Sequence, residues 1–339
     1  MYGGCAKLLH IGGGFTDTKE ELLKLFEENK GVYISGEDIA ERLSVSRTAV
    51  WKAVKSLRLD GYKIDAVQNK GYSLATETDI LSAQGIYKYL KPACSGLQIK
   101  VLPVVSSTNT CVREMAEAGE AEGSTVISGA QTGGRGRNGH SFFSPYNTGL
   151  YMSVLLRPQG CRSDRAVRLT TMAAVAVCEA IEAVSGQKAQ IKWVNDIFIG
   201  SKKVCGILTE ASFGLENGLL EYAVVGIGIN VFTPEGGFPK ELENIAGAVF
   251  NKKRDDAKNL LAAECLNSLM KYYTSFEKDD YVNEYRRRSL VIGKNVSVMF
   301  SDRQKEAVVL DIDDDCRLIV QYADGTTESL FSGEVSVKV

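Results

Sequence analysis

The sequence predicts an α+β protein in three parts. These are an N-terminal winged helix-turn-helix, a central α+β domain on a mixed, mostly antiparallel sheet, and a small C-terminal SH3-like β-barrel. Three observations carry this reading. Helical periodicity fills residues 18–60 and gives way to two short β-patterned runs; strands and helices then intermingle up to residue 290; beyond residue 291 every signal is strand. The expected limits are 18–75, 76–290 and 291–339, with residues 1–17 a disordered leader, because Met1 to Gly14 is Gly-rich and lacks an apolar pattern.

In the first part, Thr18 is a suitable N-cap, with Glu20 and Glu21 in the first turn complementing the helix dipole. Leu22, Leu23, Leu25 and Phe26 supply the apolar face, and Gly31 ends the helix. Ser35-Gly-Glu-Asp38 opens a second helix with Ile39, Ala40 and Leu43 inward. Ser44-Val45-Ser46 turns the chain, and Ser46 caps a third helix, Arg47 to Asp60, whose Val50, Val54 and Leu57 recur at i, i+4 and i+7. Two short helices joined by a tight turn suggest helix-turn-helix. Tyr62 to Val67 and Gly71 to Leu74 read as a wing around Gln68-Asn69-Lys70. The net charge of −2 advertises no general affinity for nucleic acid, so contact must come from a local patch. Ser46, Arg47, Thr48, Lys52, Lys55 and Lys70 form that patch as candidate DNA contacts, with Arg58 and Lys63 nearby. A solvated basic face is the plainer alternative, and Trp51 suits either an exposed position or packing against the first helix.

In the central part we expect a helix over Ile80 to Leu90 stopped before Pro92, a strand over Gln98 to Leu102, and a hydroxyl-rich turn, Ser106-Ser107-Thr108-Asn109, leading into a helix through Met115. Strands follow at Thr125 to Ser128 and Leu150 to Leu156, then a long helix from Arg165 to Val184. Closely spaced strands at 190–193, 196–199, 203–208 and 221–230 complete the sheet, with helices resuming between Arg254 and Arg288. In the tail, Val296, Val298 and Phe300 alternate, as do Val308, Leu310 and Ile312, giving five short strands.

At 44% hydrophobic content the chain can build real cores. Its eight cysteines are scattered without a C-x-x-C, and only His10 and His140 could add imidazoles, so no dedicated metal cage is expected and the reduced cytoplasm fits best. No apolar run is long enough to span a membrane.

Between the second and third of these central strands lies the stretch the chain is organised around. Gly133, Gly134, Gly136 and Gly139 free the backbone to approach a ligand, and Arg135 and Arg137 stand among them. Such a loop can wrap an anion with N–H groups and guanidinium forks. Gly134 to Gly139 also fits G-x-G-x-x-G, which makes a nicotinamide-dinucleotide-sensing winged-helix repressor the alternative. That fingerprint requires a helix to open inside it, yet His140 to Gly149 is aromatic and broken by Pro145. A solvated Arg/Gly surface loop is a third reading.

Polar groups gather at the predicted strand ends: Ser107-Thr108-Asn109, Gln131, Arg135 to Arg137, Lys192 to Asp196, Lys203 and Asn230. They comprise cations, neutral donors and one conspicuous carboxylate, with no Ser/His/Asp triad and no Walker lysine. Cations and amides without a nucleophile suit a reaction in which the substrates attack each other. Adenylation is one: a substrate carboxylate attacks the α-phosphate of ATP while the protein positions both. Mg²⁺ would arrive with the nucleotide.

Four blocks together resemble the bifunctional biotin–protein ligases and biotin-operon repressors. They are Ser107-Thr108-Asn109, Gly134-Arg-Gly-Arg137-x-Gly139, Lys192-Trp-Val-Asn-Asp196 and Lys203-Val-Cys-Gly-Ile-Leu208. The resemblance runs from about Thr18 to the end. It implies that ATP, Mg²⁺ and biotin are bound, that biotinyl-5′-AMP forms, and that a lysine of the biotin carboxyl carrier protein accepts the biotinyl group. It places Ser107, Thr108, Asn109, Gln131, Arg135, Gly136, Arg137 and Lys203 on biotin, with Lys203, Arg135 and Arg137 as catalytic cations. It places Phe142, Lys192, Asn195, Asp196 and Asn230 on the nucleotide side. It further implies repression at operator DNA by a ligand-induced homodimer with biotinyl-5′-AMP as corepressor. A ligase for another acid, such as lipoate, and a winged helix without an operator are variants of the same reading. Val194 stands where many relatives have proline, Cys205 is expected to be inert packing, and no catalytic role is expected of His140. Asp196 has a second reading as a buttress of its turn.

Overall fold

The computed structural model describes residues 15–214, 216, 218–278, 280–299, 304–331 and 333–337. Of the expected leader at residues 1–17, residues 1–14, with Cys5 and His10, lie outside them, as does Phe300 of the tail's alternation; residues 15–17 belong instead to the first helix. The chain forms two compact units, Met1–Leu90 with Lys253–Ala263, and Lys91–Lys252 with Glu264–Val339.

In the first unit, helices α1 (Phe15–Glu28), α2 (Gly36–Arg42) and α3 (Arg47–Leu59) precede a hairpin of β1 (Ile64–Val67) and β2 (Gly71–Leu74). Helix α1 starts three residues before Thr18, so Thr18 is a helical residue and not the expected N-cap. The other two caps are as the sequence indicates. Ser35 Oγ accepts from the Asp38 N–H at 3.0 Å, and Ser46 Oγ accepts from the Ala49 N–H at 3.1 Å. Each satisfies an N–H that has no partner inside its helix. Asn69, at φ 62°, turns the wing, and Ile64 pairs with Leu74 in an antiparallel register. Leu22, Phe26, Ile39, Val50, Val54, Leu57 and Leu74 bury one shared core.

Helix α4 (Ala83–Tyr87) is shorter than the Ile80–Leu90 helix expected. Ser82 caps it. Asn259 accepts from the Ser82 N–H at 3.0 Å and donates to the Ile80 carbonyl at 2.8 Å, so the backbone before Ala83 is bonded outside any helix. Two lysines share the buried Glu27 and the partly buried Asp256 nearby: Lys88 lies 2.7 Å from Glu27 and 2.5 Å from Asp256, and Lys30 lies 3.2 and 3.3 Å from the same pair.

The second unit holds β3 (Gln98–Leu102), α5 (Thr108–Glu117), β4 (Ser124–Ser128), β5 (Gly149–Leu156), α6 (Val167–Ser185), β6 (Gln190–Lys192), β7 (Asp196–Ile199), β8 (Lys202–Phe213) and β9 (Leu220–Asn230). The strands order as β3-β4-β5-β9-β8-β7-β6, with β3 and β4 parallel and every other neighbour antiparallel. Residues 234–250 contain no named helix or strand. Helix α7 (Ala257–Tyr273), of which Glu264 onward belongs to this unit, and α8 (Val282–Arg288) precede the tail. There β10 (Asn295–Met299), β11 (Gln304–Ile312), β12 (Leu318–Tyr322), β13 (Thr327–Leu330) and β14 (Glu334–Val337) form an antiparallel sheet in the order β13-β12-β11-β10-β14.

The two faces of the seven-stranded sheet follow from strand alternation. Thr170 of α6 bonds Thr209, whose register partner is Val225, so α6 covers the odd-numbered face of β9. Asn109 of α5 stands against Gly226, so α5 and the loops beside it cover the even-numbered face. Helix α6 is apolar nearly all round because it is buried nearly all round, from Arg168 through Ile181.

Leu57→Ala should cost the first unit about 2–5 kcal/mol, because Leu57 is fully buried. Urea unfolding followed by far-UV circular dichroism should show an earlier midpoint for that unit, while Leu59→Ala, at 80% exposure, leaves the midpoint in place.

Candidate functional site

The site begins with missing side chains. On the even face of β9, Gly226 pairs with Ser153 of β5 and Leu208 of β8, and Gly228 pairs with Tyr151 and Gly206. A Cβ on Gly226 would fall 1.9 Å from Asn109 Oδ1, and one on Gly228 would fall 2.9 Å from the Phe142 ring. Glycine inside a strand marks close approach by another group, and here an amide and an aromatic ring each lie directly on the backbone. The expectation for 221–230 is a strand alone, with no role for its glycines. Gly226-Ile-Gly228 at alternate positions of an apolar strand was the available signal.

Above this floor lies a cavity of about 300 Å³ lined by Ser107, Thr108, Asn109, Gln131, Arg135, Gly136, Arg137, Phe142, Lys192, Asn195, Asp196 and Lys203. All four motif blocks meet there, although they span a hundred residues of chain. Asn230 is not among the lining residues: its amide donates to the Gly247 carbonyl at 3.0 Å.

One end of the cavity is neutral. The Thr108 N–H donates to Gln131 Oε1 at 2.8 Å, and Gln131 Nε2 donates to Ser144 Oγ at 3.2 Å. Ser153 Oγ lies 2.8 Å from Thr108 Oγ1 and 2.6 Å from Asn109 Oδ1. Asn109 Nδ2 donates to the Leu208 carbonyl at 3.1 Å and to Glu210 at 2.8 Å. Both polar atoms of Asn109 are thus engaged by protein, which makes it a scaffold for this corner. Tyr151 is buried beneath, its phenol pKa pushed up by burial, so the ring stays neutral.

The other end carries charge. Lys203 Nζ lies 2.6 Å from Asp196 Oδ1, and Asn195 Nδ2 donates to the Ile207 carbonyl at 2.8 Å. Asp196 is therefore the counter-charge of Lys203. Asp196 is the one Asp or Glu among the lining residues, against Arg137, Lys192 and Lys203 at this end and Arg135 toward the other. Among the described residues no group of three or more His, Cys, Asp or Glu could hold a metal ion. Cys205, fully buried, has its thiol pKa raised well above the ordinary value by burial, in keeping with packing alone.

The glycine loop folds back on itself. The Gly136 N–H donates to the His140 carbonyl at 2.7 Å, and the Phe142 N–H donates to the Gly134 carbonyl at 2.9 Å. Asn138 and Gly139, at φ 53° and 77°, make the turn. No helix opens inside Gly134–Gly139 beyond a single 3-10 turn, so the helix N-terminus that a dinucleotide pyrophosphate needs is absent and the nicotinamide alternative falls. The two arginines diverge. Arg135 Nη2 donates to Glu210 at 3.0 Å and Thr110 Oγ1 at 3.2 Å. Arg137 Nη1 donates to Asn195 Oδ1 at 3.2 Å and to the Gly333 carbonyl at 3.3 Å. Tyr151, Gly333 and Val335 of the cavity wall, and Glu210 and Ser153 beside it, carry no sequence motif; only folding brings them together.

On the winged helix, Ser46, Arg47, Thr48, Lys52, Lys55 and Lys70 are exposed. Arg47 pairs with Glu37 at 2.6 Å. Trp51 is 53% exposed with Lys55 Nζ 5.4 Å from its ring centre, so its packing against the first helix is ruled out. Arg58, though exposed, donates to the Ile64 carbonyl at 2.6 and 3.0 Å and so ties the helix to the wing.

Known proteins match in the same three regions. The Biotin/lipoate A/B protein ligase family matches residues 101–230, an HTH domain residues 18–73 and the Biotin protein ligase C terminal domain residues 291–338. Bifunctional ligase/repressor BirA of Bacillus subtilis is 40% identical over 228 residues, 67% of this chain and 69% of that protein. This chain belongs to the biotin protein ligase family. Bifunctional ligase/repressor BirA of Escherichia coli is similar over 91% of this chain and 94% of its own length, at 29% identity. The biotin protein ligase from Aquifex aeolicus in complex with biotin and ATP shares the fold, with a TM-score of 0.59, 24% identity, and coverage of 71% of this chain and 98% of that one. Among the described residues no helix is long and apolar enough to cross a membrane.

Gly226→Ala should cost about 1–3 kcal/mol by driving Asn109 off the sheet. Thermal unfolding of the variant should show that loss, and Asn109→Ala in the same chain should recover part of it by vacating the space.

Proposed function

We propose that this chain activates biotin with ATP, passes the biotinyl group to a lysine of the biotin carboxyl carrier protein, and represses biotin-synthesis genes through its winged helix. The observation that carries the catalytic half is the division of one cavity into a neutral hydrogen-bonding end and a cationic end, with no nucleophile between them. In the first step a carboxylate oxygen of biotin attacks the α-phosphorus of ATP and pyrophosphate leaves. In the second the carrier's lysine amine attacks the acyl carbon and AMP leaves. The protein's work in both is placement and charge stabilisation.

Ser107, Thr108 and Gln131 offer neutral donors and acceptors of the kind a ureido ring needs, and Asn109 holds that corner in shape. Lys203, kept in place by Asp196, is directed to the carboxylate and α-phosphate, with Arg137 and Lys192 alongside. Phe142, seated on Gly206 and Gly228, is the surface for adenine, with Asn195 behind it. Asn230 supports this side from outside the cavity by fixing the segment at Gly247. Mg²⁺ bound with the nucleotide would draw its ligands from phosphate, Asp196 being the nearest protein carboxylate.

The exposed cations of α3 and the wing support operator binding. A homodimer formed in the presence of biotinyl-5′-AMP would present two recognition helices to two half-sites. Cys94, Cys161, Cys178, Cys205, Cys265 and Cys316 are free and buried whereas Cys111 is disulfide-bonded, so the use of ATP is what supports a cytoplasmic setting.

Lys203→Met should lower biotin-dependent exchange of labelled pyrophosphate into ATP by about 10²–10³-fold with the fold intact, the range for loss of one transition-state donor. Unchanged exchange would remove Lys203 from the chemistry; exchange by the intact chain with lipoate in place of biotin would move the substrate. For DNA, Lys52→Ala should reduce the slope of log affinity against log salt by about 0.9, as expected for one phosphate contact, read by fluorescence anisotropy on an operator duplex.

A further inference from the structure

Arg135 and Arg137 are two residues apart in the loop, yet they reach opposite ends of the cavity. Arg137 meets Asn195, whose carbonyl accepts from the Ile207 N–H. Arg135 meets Glu210, three residues further along β8, a distance of about 10 Å at strand rise. Glu210 lies on the cavity face of the sheet, since it alternates with Gly206 and Leu208. Three groups converge on its carboxylate. Asn109 Nδ2 donates to Oε2 at 2.8 Å, Arg135 Nη2 donates to the same oxygen at 3.0 Å, and Arg113 Nη1 lies 3.6 Å from Oε1. Thr110 Oγ1 accepts a further bond from Arg135. The loop is therefore fastened across the sheet at two points. The fastening at Glu210 runs through Asn109 directly into the neutral, biotin-side corner.

We propose that Glu210 is a positioning residue that holds the glycine loop closed by gripping Arg135, and that Arg135 serves closure and not phosphate binding. A guanidinium already engaged by a carboxylate and a hydroxyl presents its charge to them, whereas Arg137, Lys192 and Lys203 stand at the cationic end. Asn109, already fixed by Ser153 and the Leu208 carbonyl, holds Glu210 in place, and Glu210 draws in Arg135. The loop then shields the mixed anhydride from water until the acceptor lysine arrives. This rests on the ligase reading above.

The test is a double-mutant cycle on the full chain, with Arg135→Ala, Glu210→Gln and the double variant, each checked by thermal melting. Gln keeps an acceptor for Asn109 but removes the charge that holds Arg135, so it separates the clasp from the scaffold. The first readout is pyrophosphate exchange. The second is the rate at which preformed radiolabelled biotinyl-5′-AMP leaves the enzyme. We expect each single variant to release the adenylate about fivefold faster, the upper end for a half-exposed ion pair, with the double variant no faster than either and kcat for exchange by Glu210→Gln within a factor of about three. Glu210→Asp should restore part of the retention. Arg135→Ala that lowers kcat for exchange a hundredfold while Glu210→Gln does not would place Arg135 on the phosphate and overturn the proposal; additive effects in the double variant would overturn it equally. Absence of exchange and adenylate in the unaltered chain would instead refute the ligase reading.

Discussion

The site depends on close approach to a bare backbone. Two glycines at alternate positions of β9, and a third opposite one of them on β8, leave the middle of the sheet without side chains on one face. Asn109 settles on one bare spot and Phe142 on the other, and these two contacts register α5 and the glycine loop against the sheet. From Asn109 the order passes to Ser153, Thr108 and Gln131 on one side and to Glu210 and Arg135 on the other. Any side chain on Gly226 would displace a residue whose polar atoms are all committed.

The loop gains its shape from its own hydrogen bonds and its position from its arginines. The bonds between Gly136 and His140 and between Gly134 and Phe142 make a compact hairpin independent of any ligand. What holds that hairpin over the cavity is charge and hydrogen bonding at its two ends, each modest in water-exposed surroundings. Such a lid can open for ATP and for a protein acceptor, because little free energy opposes it, and still close between the two steps. The Lys203–Asp196 pair has a complementary role: the carboxylate fixes the ammonium where charge will develop, so little reorganisation is needed when it does.

Local physics was legible in the sequence and long-range pairing was not. The caps at Ser35 and Ser46, the wing turn at Asn69 and the strand at Gln98–Leu102 follow from neighbouring residues, so pattern sufficed. The four motif blocks meet in one cavity because it lies over the bare face of a single sheet, at Gly206, Gly226 and Gly228. Elsewhere, tertiary contacts overrode local preference. Thr18 lost its capping position because α1 begins at Phe15, and the helix before Pro92 was shortened by Asn259, which lies far along the chain. Arg58 belongs to the basic face by helical spacing but is spent on Ile64, and Trp51 was decided only by the surface around it. Glu210 carries no motif beyond its place on β8, and its importance appears when Asn109, Arg113 and Arg135 are seen around it.

The most direct measurement is to incubate the full chain with biotin and ATP, separate it rapidly by gel filtration, and identify the retained small molecule by mass spectrometry, with lipoate and ATP in parallel. Biotinyl-5′-AMP held at close to one per chain, with no lipoyl adenylate, is what a cavity neutral at one end and cationic at the other should give. Retention of unreacted nucleotide alone, or of a lipoyl adenylate in its place, would contradict it.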